Sequence, residues 1–378
     1  MNIPIIFFRY IFLMKKQAII SFRGAQIPHS EADVLKELES QLGRQFTLVD
    51  DIEYNTKMGF TVENNAISGI GLNECGVSTL PESIGNLNSL HHLNLRSNSL
   101  LTLPESIGNL ISLKILYLWG NQLSNLPATI SELKSLQVFS LARNNFSTLP
   151  EAIGQLSSLK ELWLSNNKLS TLPESITKLK KLESLDINYN DISILPESIG
   201  SMKSLQYLGI DENKLSVLPD SIGNLTSLKE LTLWGNQIDA LSESIGNLTS
   251  LEKLDLERNT LSTLPESIGK LNSLRVLKLQ DNTLSALPES IGQLSSLKEL
   301  YINGNQLSIL PESIGKLKSL QALSLACNNL SSLPESIIEL SALQILNLHT
   351  NKLPILPESI KILKLRGVTI ISKNFRGS

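Results

Sequence analysis

Residues 90–110 read LHHLNLRSNSLLTLPESIGNL, and the fold follows from how those side chains alternate. Leu93 and Leu95 alternate with Asn94 and Arg96, the period of a half-buried strand. Asn98 then turns the chain, and its side-chain amide is suited to pair the backbone groups that a turn leaves bare. Leu100 and Leu103 point inward, Pro104 fixes φ at the start of the return, and Ile107 and Leu110 supply a short helical or 3-10 segment. The same unit recurs thirteen times across residues 67–363, always 23 residues long, without insertion or deletion. Its asparagine returns as Asn98, Asn121, Asn144, Asn167, Asn190, Asn213, Asn236, Asn259, Asn282, Asn305, Asn328 and Asn351, and one unit before Asn98 stands Cys75. Proline keeps its place in twelve of the thirteen units, and only Ser242 breaks the series. One unit cannot bury its own apolar wedge, so the units must stack. The expectation is an α/β solenoid with a curved parallel sheet on its concave face, short helices or 3-10 turns on its convex face, and a ladder of asparagines.

The pattern L-x-x-L-x-L-x-x-N/C-x-L resembles the leucine-rich repeat signature. The 23-residue unit with L-P-E-S-I-G-x-L is similar to the Ras-group class of intracellular leucine-rich repeat proteins. That class includes plant Ras-group-related proteins and a scaffold that joins a Ras-type GTPase to a protein phosphatase. The resemblance implies a binding function on the concave face, with a small GTPase among the expected partners. The scaffold's phosphatase-docking pattern, basic-x-Val/Ile-x-Phe, has no match in residues 1–66, where the nearest stretch is Ile20-Ser21-Phe22 with Ala18 at the basic place.

Outside the repeats the texture changes. Residues 1–16, MNIPIIFFRYIFLMKK, are apolar, but Arg9 interrupts them and no cleavage site of small residues follows, so Met14 is read as an alternative start. Residues 17–66 read as an N-terminal cap. QAIISF (17–22) is expected as a strand, and Ser30 is expected to cap a helix buried through Val34, Leu35, Leu38 and Leu42 and stopped by Gly43. FTLVDD (46–51) is a second strand candidate, and residues 59–72 read as a hairpin turning at Asn64–Asn65. After Leu363 the leucine pattern decays, although Asn374 falls on the next ladder position. Residues 364–378 therefore read as a degenerate closing strand and tail without a proper cap, an edge open to weak self-association in an otherwise monomeric chain.

A net charge of −3 argues against nucleic acid or anionic lipid as partner, and no membrane role is expected. Two cysteines and no cysteine-rich cap fit a reducing, cytoplasmic setting. Candidate chemistry is thin. Gly71-x-x-x-x-Gly76-Val77-Ser78 carries valine where a phosphate loop needs lysine. His29, His91, His92 and His349 show no metal-ligand spacing, and Cys327 beside His349 lacks a third group to orient the histidine. No enzyme, cofactor or metal is expected.

Function should then lie where the units differ. Strand alternation brings the residues six, four, two and one places before each ladder residue to the concave surface. All three tryptophans fall there, Trp119, Trp163 and Trp234, with Tyr117, Tyr189, Tyr207 and Tyr301. From Glu161 to Arg258 the same face carries Glu161, Asp186, Asp211, Glu212, Glu230, Asp255 and Glu257 against only Lys253 and Arg258. Further toward the N-terminus it carries His92, Arg96 and Arg143. These aromatic and acidic positions form the expected partner-binding face of a non-catalytic scaffold or adaptor in signalling, for a protein presenting a basic patch. The alternative is an exported adhesin or effector that binds a host protein.

Overall fold

The computed structural model describes residues 18–353 and 357–372. The leader 1–16, Met14 and Asn374 lie outside the described residues. The chain divides into two compact units, residues 1–182 and 183–378.

The first unit opens with the cap. Strand β1 (Ile19–Phe22) pairs antiparallel with β2 (Ala25–Pro28), a partner that sequence reading missed. Helix α1 (His29–Leu42) follows. It begins two residues earlier than expected, with Pro28 at the cap position and no side-chain capping bond, so Ser30 is not its N-cap. Gly43 ends it in the left-handed region at φ 62°. Ala32, Val34, Leu35 and Leu38 are buried, whereas Leu42 is half-buried. Glu31 is also buried, because its carboxylate accepts the Ile67 N–H at 2.7 Å and so ties the helix to the sheet. Strand β3 is only Thr47–Leu48, parallel to β4 (Gly59–Glu63). The hairpin of β4 with β5 (Ala66–Gly71) turns at Asn64 and Asn65, both at positive φ, as a tight primed turn requires. Four three-residue strands then add in parallel, His92–Asn94, Ile115–Tyr117, Val138–Ser140 and Glu161–Trp163.

The second unit is built from Ser184–Asp186 onward, each strand pairing with the one 23 residues later as far as Ile345–Asn347. Both units have the same interior. In the Asn98 repeat Leu93, Leu95, Leu100, Ile107 and Leu110 are all 0% exposed, and each buried leucine stabilises by about 1.5–3 kcal/mol. The return segments are five-residue 3-10 turns, such as Glu105–Asn109, entered by proline at φ −69°. Ser242 takes the same backbone angles without the ring, and its hydroxyl accepts the Ser244 N–H at 3.2 Å.

At most turns glycine lies against the next turn's backbone, while Ser131, Thr177 and Ile338 hold that place in turns of the same length. A Cβ on Gly246 would meet the Ser267 carbonyl oxygen at 2.5 Å. Glutamate adds a cross-unit bond, as where Glu243 accepts the Ser267 N–H at 3.0 Å. The last segment, with Lys361 at that place, is instead helix α2 (Glu358–Leu365), with Ile360 and Leu363 buried.

Helix α2 runs across the boundary drawn at Leu363. Arg366, in the stretch where the leucine pattern decays, donates to the carbonyls of Ile338 and Leu340. Strand Thr369–Ile371 then pairs in parallel with Ile345–Asn347. Its register gap is 24 rather than 23 because the helix intervenes. Among the described residues no strand covers its other edge. No helix among them is long and apolar enough to cross a membrane. The fold is a leucine-rich repeat solenoid, a long parallel sheet with short 3-10 turns and a small α+β cap.

Candidate protein-binding face

The ladder residues hold the face in place. Asn98 donates to the carbonyls of Leu72, Leu95 and Arg96, and its Oδ1 accepts from Cys75 and Val77. Asn121, Asn144 and Asn167 repeat this pattern in the first unit. In the second, Asn190 donates to Ile187 and Asn188. Asn213, Asn236, Asn259, Asn282, Asn305, Asn328 and Asn351 each bond both their own turn and the preceding repeat. Cys75 is buried, and its thiol donates to the Asn73 carbonyl at 3.4 Å.

Sequence reading missed a second regularity. The residue before every ladder position lies in the left-handed region, from Glu74 at φ 52° to Thr350 at φ 55°. Gly120, Gly235 and Gly304 do so freely, whereas Ser97, Arg143, Tyr189, Glu212 and Arg258 do so at a steric cost. The signal was there in the three glycines that share one place in the repeat.

In the first unit the aromatic residues do not stand as separate exposed posts. Tyr117 and Trp163, two repeats apart, stack with centroids 6.0 Å apart and planes 8° from parallel. They lean across Ser140, which occupies the strand between them and is 0% exposed. His92 meets Tyr117 edge-on at 5.5 Å, and burial lowers its pKa. Burial foremost, then Glu161, raises that of the Tyr117 hydroxyl. Trp119 has the guanidinium carbons of Arg96 and Arg143 each 4.9 Å from its ring centroid. Asn94, read as a surface position, is 0% exposed because its amide donates to the carbonyls of Glu53 and Tyr54. The cap loop therefore lies over this end of the face, which no local pattern announced.

In the second unit Tyr189 and Trp234 meet at 6.4 Å with planes 63° apart, and Arg258 lies 5.5 Å from the Trp234 centroid. Tyr207 lies across its own strand in space left by Gly209, where a Cβ would sit 2.5 Å from the phenol oxygen. Burial raises its pKa, while Asn188 and Thr232 hydrogen-bond the hydroxyl. Tyr301 donates to Glu299 at 3.0 Å. Tyr189 is 50% exposed, and the other six aromatic candidates are half-buried.

The acidic stretch is less charged than its residues imply. Lys253 pairs with Glu230 at 2.6 Å and Lys278 with Asp255 at 2.9 Å, each reaching back one repeat. Lys278 lies beyond the stretch from Glu161 to Arg258. Asp186 accepts the Asn188 N–H at 3.0 Å. Asp211 is not a solvated acid: it accepts the Trp234 N–H at 2.9 Å, and burial pushes its pKa up to about 6. Burial also raises that of Glu257, which accepts from Gln280 at 3.1 Å. Glu212 and Glu161 are half-buried. Among the described residues no cluster of histidine, cysteine and carboxylate side chains has the geometry to hold a metal. Cys327 donates its backbone N–H to the His349 carbonyl, and the His349 ring pairs with Thr350.

Residues 69–148, 151–257 and 236–330 match the family described as a leucine-rich repeat region. A leucine-rich repeat protein of Leptospira interrogans is 35% identical, with a TM-score of 0.73 over 80% of this chain and 83% of that one. A plant peptide hormone receptor, RGFR1, solved in complex with RGF2, is 30% identical at a TM-score of 0.63 over 80% of this chain, which spans 58% of that receptor chain. An internalin of Listeria monocytogenes, 20% identical, shares the fold at a TM-score of 0.71 over 92% of this chain and 96% of that one. No curated protein matches the chain significantly. With more than half of its length matched, this chain belongs to the leucine-rich repeat family.

Proposed function

We propose that this chain is a non-catalytic, cytoplasmic adaptor whose partner protein docks on the sheet face. The gathering of Tyr117, Trp119 and Trp163 in one unit and of Tyr189, Tyr207 and Trp234 in the other carries this reading. Half-buried rings with accessible edges are rigid and cost little entropy to immobilise, and tryptophan and tyrosine dominate interface energetics. The likeness to a receptor solved with a peptide hormone supports a protein-interaction role. The Ras-group character of the 23-residue unit makes a small GTPase, within signalling, the partner class proposed. Its basic side chains would face acids that form no ion pair among the described residues, Glu212 and Glu257 included.

The test is affinity capture followed by titration of the captured protein. Trp163→Ala and Trp234→Ala should keep the fold, and at least one should weaken the partner by about 2 kcal/mol, roughly 30-fold in Kd. Lys270→Glu and Lys316→Glu, exposed on the turn side, should bind as wild type. Loss of the partner in these lysine variants, with both tryptophan variants unaffected, overturns the reading.

A further inference from the structure

Two cations in the first unit are stacked but not neutralised. Arg96 comes from the repeat before Trp119 and Arg143 from the repeat after it, and both guanidiniums lie at the same indole. Arg96 also lies 5.8 Å from the Tyr117 centroid. A guanidinium that stacks through its face keeps its in-plane N–H donors free at the edge. Among the described residues no carboxylate forms an ion pair with either arginine, and Glu74, the acid beside them, is held by Lys57 at 2.6 Å.

Beside this pair is an open cleft of about 480 Å³, lined by Tyr54, Asn55, Lys57, Glu74, Arg96 and Trp119 among others. Its outer wall is the cap loop, pinned by Asn94 through 2.9 and 3.1 Å bonds. Wall and donors are thus fixed before any ligand arrives, which reduces the ordering cost of binding.

We propose that Arg96, Trp119 and Arg143 form a carboxylate clamp for an acidic peptide segment of the partner. The proposal deepens the function proposed above and rests on the sheet face being the partner surface. A carboxylate presents two coplanar acceptors that match the guanidinium fork. The indole against which both guanidiniums lie gives those bonds an apolar neighbour. The carboxylate has two sources, an aspartate or glutamate side chain or a free chain terminus.

The experiment is a fluorescence anisotropy titration of the full chain with labelled hexapeptides. The probes are C-terminally amidated hexaglutamate, hexaglutamine with a free C-terminus, and amidated hexaglutamine as the blank. At least one carboxylate probe should bind saturably, and which one does identifies the carboxylate source. Arg96→Gln and Arg143→Gln should each weaken that binding tenfold or more. The double variant Arg96→Lys/Arg143→Lys keeps the charge but loses the planar fork, and should weaken it at least fivefold. Trp119→Phe, which keeps a ring, should fall between these and wild type. The proposal is overturned if no carboxylate probe binds above the blank, if the glutamine variants bind as wild type, or if the double lysine variant does. No natural partner enters this titration, so its failure leaves the capture test of Trp163 and Trp234 standing, and failure there leaves this result standing.

Discussion

The carboxylate of Asp211 accepts the backbone N–H of Trp234 at 2.9 Å, one repeat further along the second unit. Burial is the larger influence, raising the pKa from 3.8 to about 6, opposed by the Trp234 N–H and the Thr232 hydroxyl. The neighbouring Asp255 raises it further and Lys253 lowers it.

That shift gives stability a pH dependence of definite sign. A raised folded-state pKa means that the native chain holds this proton more tightly than the unfolded chain does. The contribution is fully present below about 3.8, and is lost as pH rises through about 6. Asp211→Asn keeps an acceptor for the N–H and carries no charge. Its stability relative to wild type should therefore improve between pH 4 and pH 7, by about 1 kcal/mol after allowance for solvent screening. Urea titrations of both proteins across this range measure it. A stability difference that does not change with pH would show that Asp211 titrates normally.

Asn213 donates to the carbonyls of Ile187, Ile210 and Asp211 and accepts the Ile192 N–H at 2.9 Å. Asn213→Ala strands these groups and should cost about 1–3 kcal/mol. An unchanged denaturation midpoint would count against the ladder as a source of stability.

The left-handed position before each ladder residue makes a paired prediction. A Cβ on Gly120, at φ 70°, meets nothing closer than 3.5 Å, so Gly120→Ala tests backbone strain alone. It should cost about 1 kcal/mol. Ser97→Gly, at φ 53° one repeat earlier, should gain up to about 1 kcal/mol by the same reasoning. Thermal midpoints moving together, in either direction, would contradict this.

On the turn side, a Cβ at Gly246 would meet both the carbonyl oxygen and the Cβ of Ser267 within 2.6 Å. Gly246→Ala should cost about 1–3 kcal/mol through forced separation of the turns. Glu243→Ala removes only the acceptor for the Ser267 N–H, itself 3.0 Å long. It should cost about 1 kcal/mol. If Gly246→Ala proved the milder of the two, the close approach would not be what sets the turn spacing.

The sequence by itself determined the repeat, its length and the side chains that form the core. The reason is that each repeat stacks in register on the next, as Leu93 on Leu116, so one local pattern states the tertiary contact. It also placed Trp119, Trp163 and Trp234 on the sheet face, because strand alternation is a local property. Only the tertiary structure decided what those side chains do there. The lean of Tyr117 and Trp163 over Ser140 depends on a small residue between two large ones in different repeats. Lysines 253 and 278 neutralise acids one repeat back, and the cap loop covers Asn94 from more than one repeat away in sequence. Arg366 finishes the last turn through carbonyls that only folding brings within reach. Such contacts join unlike residues across the stack, where no periodicity within a single repeat can register them.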